Sequence, residues 1–363
     1  MDKKLIDKLS KRNQEGTKRS LSFFEGGIDF YSNDYLGFAR RNDFITGKAT
    51  IGSTGSRLIS GNTIEANKCE EFLAKFFEVE KALVFNSGYD ANIGFFSALP
   101  QRGDTVIYDE EIHASARDGI RLSLADSFSF KHNSIEDLEK KIKRAKGSVY
   151  VAIESLYSMG GDIAPMIEIA KICSEYKAFL VVDEAHACGV FGKKGRGLID
   201  ELNLTQYVFA RIVTFGKAYG FHGACVLGQN ELIEFLINFA RSFIYTTALP
   251  PTDYERISAV VTFSENDKER LKLNENIRYF RSQLKSNLSS SDQRSPIQMI
   301  QICSIERCKT IAENLLNIGL NVKPIFSPTV FSGNESIRIC IHNFNNNDEI
   351  DKLCLILNKG LNI

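Results

Sequence analysis

Apolar residues along this chain change their spacing several times, and each change marks an element. Leu5, Ile6 and Leu9 fall on one face of a helix over residues 1–13. Gly26-Gly27 makes a turn ahead of a short strand at 28–31. From about 46 to 250, helical and strand patterns alternate. Cys69, Phe72, Leu73 and Phe76 recur at helical spacing over 65–77. Short apolar runs at 81–85, 105–108, 148–153, 178–182, 208–214 and 224–227 read as strands. Helical stretches such as 135–145 and 165–176 separate them. This alternation predicts an α/β domain with a mainly parallel central sheet, buried on both faces.

After Pro250-Pro251 the pattern changes. Two long helical stretches reach about residue 288, and a loop follows at 289–292. Then come a strand at 297–303, a helix at 304–318, strands at 321–325 and 337–342, and a helix at 347–357. The expectation is an N-terminal segment 1–45, a large α/β domain 46–250 and a smaller α+β domain 251–363. A length of 363 residues suits that division.

Composition narrows the class. Hydrophobic residues make up 43% of the chain and charged residues 25%, enough for a sizeable core under a soluble surface. Lys plus Arg equals Asp plus Glu at 45 each, so the basic excess of a nucleic-acid binder is missing. The basic stretch 140–146 reads as a solvated helix face. The eight cysteines form no CxxC pair and no zinc spacing, and most lie in apolar runs. Residues 1–12 are charged, unlike a secretory signal, and no apolar run approaches the ~20 residues of a membrane span. The expectation is a reduced, cytoplasmic protein with no metal, nucleic-acid or membrane partner.

Chemistry enters at the strand ends. Four apolar residues, 179–182, run into Asp183, with His186 three residues on. Functional groups collect at the carboxyl ends of parallel strands. A carboxylate there is either a ligand contact or a cap for the next turn, and Asp-x-x-His also fits a metal pair or an acid–base unit. Further on, Thr214-Phe215-Gly216-Lys217 follows another apolar strand, and Gly220 closes the turn. A lysine there is a surface residue or an amine that forms an imine with an aldehyde, which burial favours by lowering its pKa. Together the two motifs match what pyridoxal phosphate (PLP) requires: a lysine for its aldehyde and a carboxylate for its ring nitrogen. Ser87-Gly88-Tyr89 offers the N–H groups of a helix start to a phosphate. His113 offers a flat ring for stacking, or is an ordinary core or surface histidine.

Taken in order, these segments resemble those of the α-oxoamine synthases, which are fold-type I PLP enzymes. The resemblance spans nearly the whole chain. It is carried by Ser32-Asn33-Asp34-Tyr35-Leu36-Gly37, residues 52–61 around Arg57, residues 87–92, His113-Ala114-Ser115, residues 154–162 and 182–186, residues 214–217 and residues 245–251. It implies a PLP-dependent transferase that condenses an amino acid with an acyl thioester and releases CO2. Residues 56–62 resemble the family member that takes L-alanine and a pimeloyl thioester, on CoA or acyl carrier protein, in biotin biosynthesis. Sister enzymes use glycine or serine. A non-catalytic scaffold is argued against by the presence of Lys217, Asp183 and His186.

The resemblance also implies roles. Lys217 holds the cofactor and moves the substrate proton. Asp183 pairs with the ring nitrogen. His186 and Ser158 contact the phenolic oxygen. His113 stacks on the ring and helps orient substrate. Gly88 and Tyr89 lie against the cofactor, Thr214 lies near its phosphate, and Thr246 reaches the phosphate of a neighbouring subunit in a homodimer with shared sites. Arg19, Asn33, Thr329 and Arg338 face substrate. The chain departs from the family at Phe326, where Arg is usual, at Gly160, where Asp is common, and at Cys188, where Thr is common.

Overall fold

The computed structural model describes residues 3–18, 26–41, 50–285, 288–327, 330 and 333–360. The chain folds as two compact units. One contains Asn33–Asn274 and His342–Phe344. The other contains Met1–Ser32, Glu275–Ile341 and Asn345–Ile363. The first strand, β1 (Ile28–Asp29), belongs to the smaller unit.

The larger unit is built on a seven-stranded sheet of β2 (Lys81–Phe85), β3 (Thr105–Asp109), β4 (Asp126–Phe130), β5 (Val149–Glu154), β6 (Phe179–Asp183), β7 (Ala210–Thr214) and β8 (Ala224–Gly228). The order across the sheet is β2-β8-β7-β6-β5-β3-β4. Only β8 runs against its neighbours. Successive side chains serve opposite faces. Leu83 and Phe85 of β2, Ala210 and Ile212 of β7, and Ala224 and Val226 of β8 join one buried cluster, with Phe95 and Phe96 of helix Gly88–Ala98. Ala82, Val84, Val213, Cys225 and Leu227 join the cluster on the other face, with Leu73 of helix Ile64–Phe76 and Ile257 of helix Pro251–Phe263. Burial on both faces explains the continuous apolar runs in the sequence. All eight cysteines are free, and Cys303 alone is exposed.

Three features differ from the sequence expectation. The strand expected at 321–325 is two strands, Leu320–Asn321 and Lys323–Ile325, in different sheets. No strand is predicted at β4, because its Asp-Ser-Phe-Ser-Phe run lies at the sheet edge with its first three residues exposed. Pro250-Pro251 is not where the compact units part. Pro251 opens a helix, a position that suits its fixed φ and missing N–H. That helix packs on helix Ile64–Phe76 of the larger unit, and the division falls inside helix Lys268–Gln283 instead.

In the smaller unit, β9 (Ile297–Gln301), β10 (Leu320–Asn321), β11 (Lys323–Ile325) and β12 (Ser336–Cys340) complete the strands. β11-β12-β9 form an antiparallel sheet, and β10 pairs with β1. Helices Ile305–Asn317 and Asn347–Gly360 pack together beside it.

Candidate active site

Six parallel strands bring their carboxyl ends to one edge of the sheet, where ligands of open α/β sheets bind. β2 leads into Ser87 and Gly88, β3 into His113, β5 into Ser158, β6 into Asp183 and His186, and β7 into Thr214 and Lys217. The backbone is shaped for this. A Cβ at Gly88 would lie 2.6 Å from Thr214 Cγ2, so only glycine lets helix Gly88–Ala98 start so close to β7. Ser87 Oγ caps that helix by accepting from the Asp90 N–H at 3.1 Å. Lys217 has a φ of +50°, a left-handed conformation that a lysine rarely adopts.

Asp183 is 7% exposed, and neutral donors orient it. The Ala185 N–H donates to Oδ1 at 2.9 Å, and Asn92 Nδ2 donates to Oδ2 at 2.9 Å. Asn92 Nδ2 also reaches Ser115 Oγ at 3.0 Å, which is 2.7 Å from His113 Nδ1. Burial pushes the His113 pKa down; Asp183 pulls it up, and Lys217 pushes it further down. Glu154, at the end of β5, sits in register with Asp183. Burial, then the Asp183 charge, push its pKa up to about 8. Its Oε2 accepts from the Ser158 N–H at 3.1 Å, and its buried Oε1 has no partner among the described residues. His186 Nδ1 lies 2.9 Å from the Tyr35 hydroxyl. Thr214 Oγ1 reaches the Ala185 carbonyl at 3.4 Å. Asn86 Nδ2 donates to Thr246 Oγ1 at 3.2 Å.

A second polar cluster lies at the ends of β3 and β4. His132 is clamped between Asp109 and Asp162, with 2.9 Å from Nδ1 to Asp109 Oδ1 and 2.9 Å from Nε2 to Asp162 Oδ2. Burial opposes the charge on His132, but the two carboxylates raise its pKa to about 10. Among the described residues, no group of three or more His, Cys, Asp or Glu is placed to hold a metal, and no helix is long and apolar enough to cross a membrane.

The model of the class I and II aminotransferases matches residues 25–355. The chain belongs to that family. Its relatives include the 8-amino-7-oxononanoate synthase of Emericella nidulans, 38% identical over 96% of this chain and 93% of the other. Among solved structures, the 8-amino-7-oxononanoate synthase of Francisella tularensis superposes with a TM-score of 0.81 at 31% identity, covering 93% of this chain and 98% of that one. The serine palmitoyltransferase of S. paucimobilis, solved with PLP and myriocin bound, gives a TM-score of 0.89 at 26% identity, covering 99% and 96%. The fold is the fold-type I architecture of this family.

The strand-end edge suits the family's cofactor. Asp183 is a buried carboxylate held only by neutral donors in the described network, ready for a protonated ring nitrogen. The close approach at Gly88 leaves backbone N–H groups at a helix start for a phosphate. Arg19 and Thr329 lie outside the described residues. Arg338 lies in β12 of the smaller unit, where its side chain is buried with Nη1 3.0 Å from Cys340 Sγ. Asn33 Oδ1 accepts from the Tyr35 hydroxyl at 3.1 Å. Tyr89 is partly exposed, and its hydroxyl bonds Asp118. At Phe326, Lys309 places its ammonium 5.8 Å from the ring centre, so a cation stands near the position where Arg is usual. Cys188 is buried against Glu184 and Arg211. Sequence reasoning missed Tyr35, Asn92, Ser115 and Glu154 as site residues. The first three act on other side chains, and spacing gives no sign of that.

Proposed function

We infer that this chain catalyses the decarboxylative condensation of L-alanine with a pimeloyl thioester. The products are 8-amino-7-oxononanoate, CO2 and the free thiol carrier, in biotin biosynthesis. The observation that carries the reading is the relatives' shared name across nearly the full chain, with Lys217, Asp183 and His186 each at a strand end in one sheet edge. The cofactor is PLP, whose ring, once protonated, accepts the electrons left when the amino acid loses its α-proton.

The residues then divide the work. Lys217 would hold the cofactor through its aldehyde, and its amine would be the base for the α-proton of alanine. Asp183 keeps the ring nitrogen protonated by pairing with it. His113 stacks on the ring and orients substrate. His186 and Ser158 hold the phenolic oxygen. Gly88, Tyr89 and Thr214 line the cofactor. Thr246 serves the phosphate of a second subunit, which makes the working unit a homodimer. Arg19, Asn33, Thr329 and Arg338 bind substrate, with a guanidinium forking onto the alanine carboxylate. The carrier is CoA or acyl carrier protein, and the compartment is the cytoplasm.

The similarity to serine palmitoyltransferase favours one rival, a sister synthase with another amino acid and acyl chain. One panel separates them. Holoenzyme is given alanine, glycine or serine with pimeloyl-CoA or palmitoyl-CoA, and products are read by mass spectrometry. 8-Amino-7-oxononanoate from alanine and pimeloyl-CoA supports the reading; a product from serine and palmitoyl-CoA alone rejects it.

A further inference from the structure

Tyr35 belongs to the Ser32-to-Gly37 segment and is fully buried. Its turn is tied down by the backbone. The Tyr35 N–H donates to the Asn33 carbonyl at 2.9 Å, and the Tyr35 carbonyl accepts from the Asn343 N–H at 2.9 Å. Its ring is stacked as well. His342 lies 6.5 Å from it at 27°, Phe344 stacks on His342 at 4.6 Å and 10°, and the Arg40 guanidinium caps Phe344 at 3.9 Å. A ring so placed cannot swing its hydroxyl away from where the turn aims it.

That hydroxyl lies 2.9 Å from His186 Nδ1 and 3.1 Å from Asn33 Oδ1. A phenol has one hydrogen, and an amide oxygen only accepts. If the phenol donates to Asn33, His186 Nδ1 must be the donor to the phenol oxygen. We propose that Tyr35 is a positioning residue: held by Asn33, it fixes a proton on His186 Nδ1 and thereby favours the charged imidazolium that faces the cofactor's phenolic oxygen. The second half rests on the function proposed above. With Nδ1 protonated, Nε2 becomes the nitrogen whose proton decides the ring's charge. A phenol oxygen accepting from Nδ1–H stabilises the cation more than the neutral ring. A cation beside the phenolic oxygen draws charge from it, and this lowers the basicity of the conjugated nitrogen that joins the cofactor to Lys217. Around His186 stand Tyr35, His342 behind Tyr35's ring, and Asp183 and Glu184 in its own turn. The Lys217 turn also packs close, since a Cβ at Gly189 would lie 2.6 Å from Ala218 Cβ.

Two measurements test this. In cofactor-free protein, nitrogen-15 NMR of the His186 ring should show Nδ1 protonated at neutral pH. In Tyr35→Phe the two tautomers should mix. In Asn33→Ala, which frees the phenol to donate to His186, the Nε2-protonated form should gain. A wild-type His186 with unprotonated Nδ1 overturns the proposal. In holoenzyme, the pH midpoint of the cofactor's absorption change should rise by about one unit in Tyr35→Phe. It should rise in His186→Asn, and the double variant should match His186→Asn alone, because Tyr35 acts only through His186. A lowered melting temperature with an unmoved midpoint, or shifts that add, would leave Tyr35 as packing and overturn the proposal. If the NMR pattern holds while both single variants leave the midpoint unmoved, His186 does not face the phenolic oxygen, and the second half fails together with that part of the proposed function.

Discussion

The edge of the central sheet carries two groups of acids and histidines, and they are treated in opposite ways. At the ends of β3 and β4, His132 has a carboxylate on each ring nitrogen. Asp109 also accepts from the Glu111 and Asn133 N–H groups at 2.8 and 2.9 Å, and Asp162 accepts from Asn133 Nδ2 at 2.7 Å. Charge is matched by charge within the protein. At the ends of β5 and β6, Asp183 is held by an amide side chain and a backbone N–H, His113 is pushed towards neutrality, and Glu154 is pushed up to about 8. There the hydrogen-bond donors to Asp183 are neutral, and Lys217 is the cation that acts on the cluster. The first cluster is a clamp joining the segments that carry His113 and Ser158. The second is where we place the chemistry of the proposed function. Local saturation of charge distinguishes the clamp from the proposed reactive cluster in this chain.

The sharpest way to break that contrast is to remove one carboxylate from each side. Asp183→Asn keeps shape and removes the charge proposed to pair with the ring nitrogen. Turnover should fall at least ~10²-fold, as for loss of a preorganised electrostatic contact, with little change in unfolding free energy. Asp162→Asn should do the reverse, lowering stability while kcat stays within about threefold of the parent. Steady-state kinetics and urea unfolding of both variants decide it, and near-normal turnover in Asp183→Asn would dissolve the distinction.

The clamp also makes a pH prediction. The pKa of His132 is about 10 in the folded protein against an ordinary 6.5. Its contribution is therefore fully present below pH 6.5 and is lost as pH rises through 10. Cofactor-free protein should lose about 2–4 kcal/mol of stability from this source across that window, allowing for partial exposure. In His132→Asn this slope should vanish from the difference between urea unfolding at pH 7 and pH 10. An unchanged slope means that the imidazole is not charged in the fold.

The sequence revealed the frame of this contrast but not its content. The parallel strands were readable because residues buried on both faces leave apolar runs, and Asp183 and Lys217 stood out by following such runs. β4 was hidden because an edge strand with exposed Asp126, Ser127 and Phe128 has no such run. The partners that give Asp183 and His186 their character lie far along the chain: Asn92 is 91 residues from Asp183, and Tyr35 is 151 from His186. Those contacts are set by how strands order across the sheet, which periodicity does not report. The smaller unit was readable as α+β, yet its division from the larger one was not, because the helix opened by Pro251 packs back on the first unit.

The smallest effect, and the finest test of the comparison, concerns Glu154. It is 3% exposed and ends β5 opposite Asp183. In the unfolded chain its carboxyl titrates near 4.5, whereas burial and the neighbouring Asp183 charge hold it at about 8 in the fold. Below pH 4.5 the carboxyl is protonated in both states and costs nothing. Between 4.5 and 8 the unfolded chain ionises while the folded protein does not, so stability falls as pH rises; above 8 the loss is complete. Gln matches Glu154 in shape and is neutral at every pH. Its amide still offers an oxygen to the Ser158 N–H, which lies 3.1 Å from Oε2. Glu154→Gln should therefore match the parent near pH 5 and exceed it by about 1–3 kcal/mol at pH 8. Cofactor-free protein is the right material, because Lys217 acts on Glu154 and the proposed attachment of PLP there would change its charge. Urea unfolding at the two pH values reads the difference. An equal loss at both would mean that the fold holds Glu154 ionised, and the β5–β6 end would then carry two charges instead of the one left on Asp183.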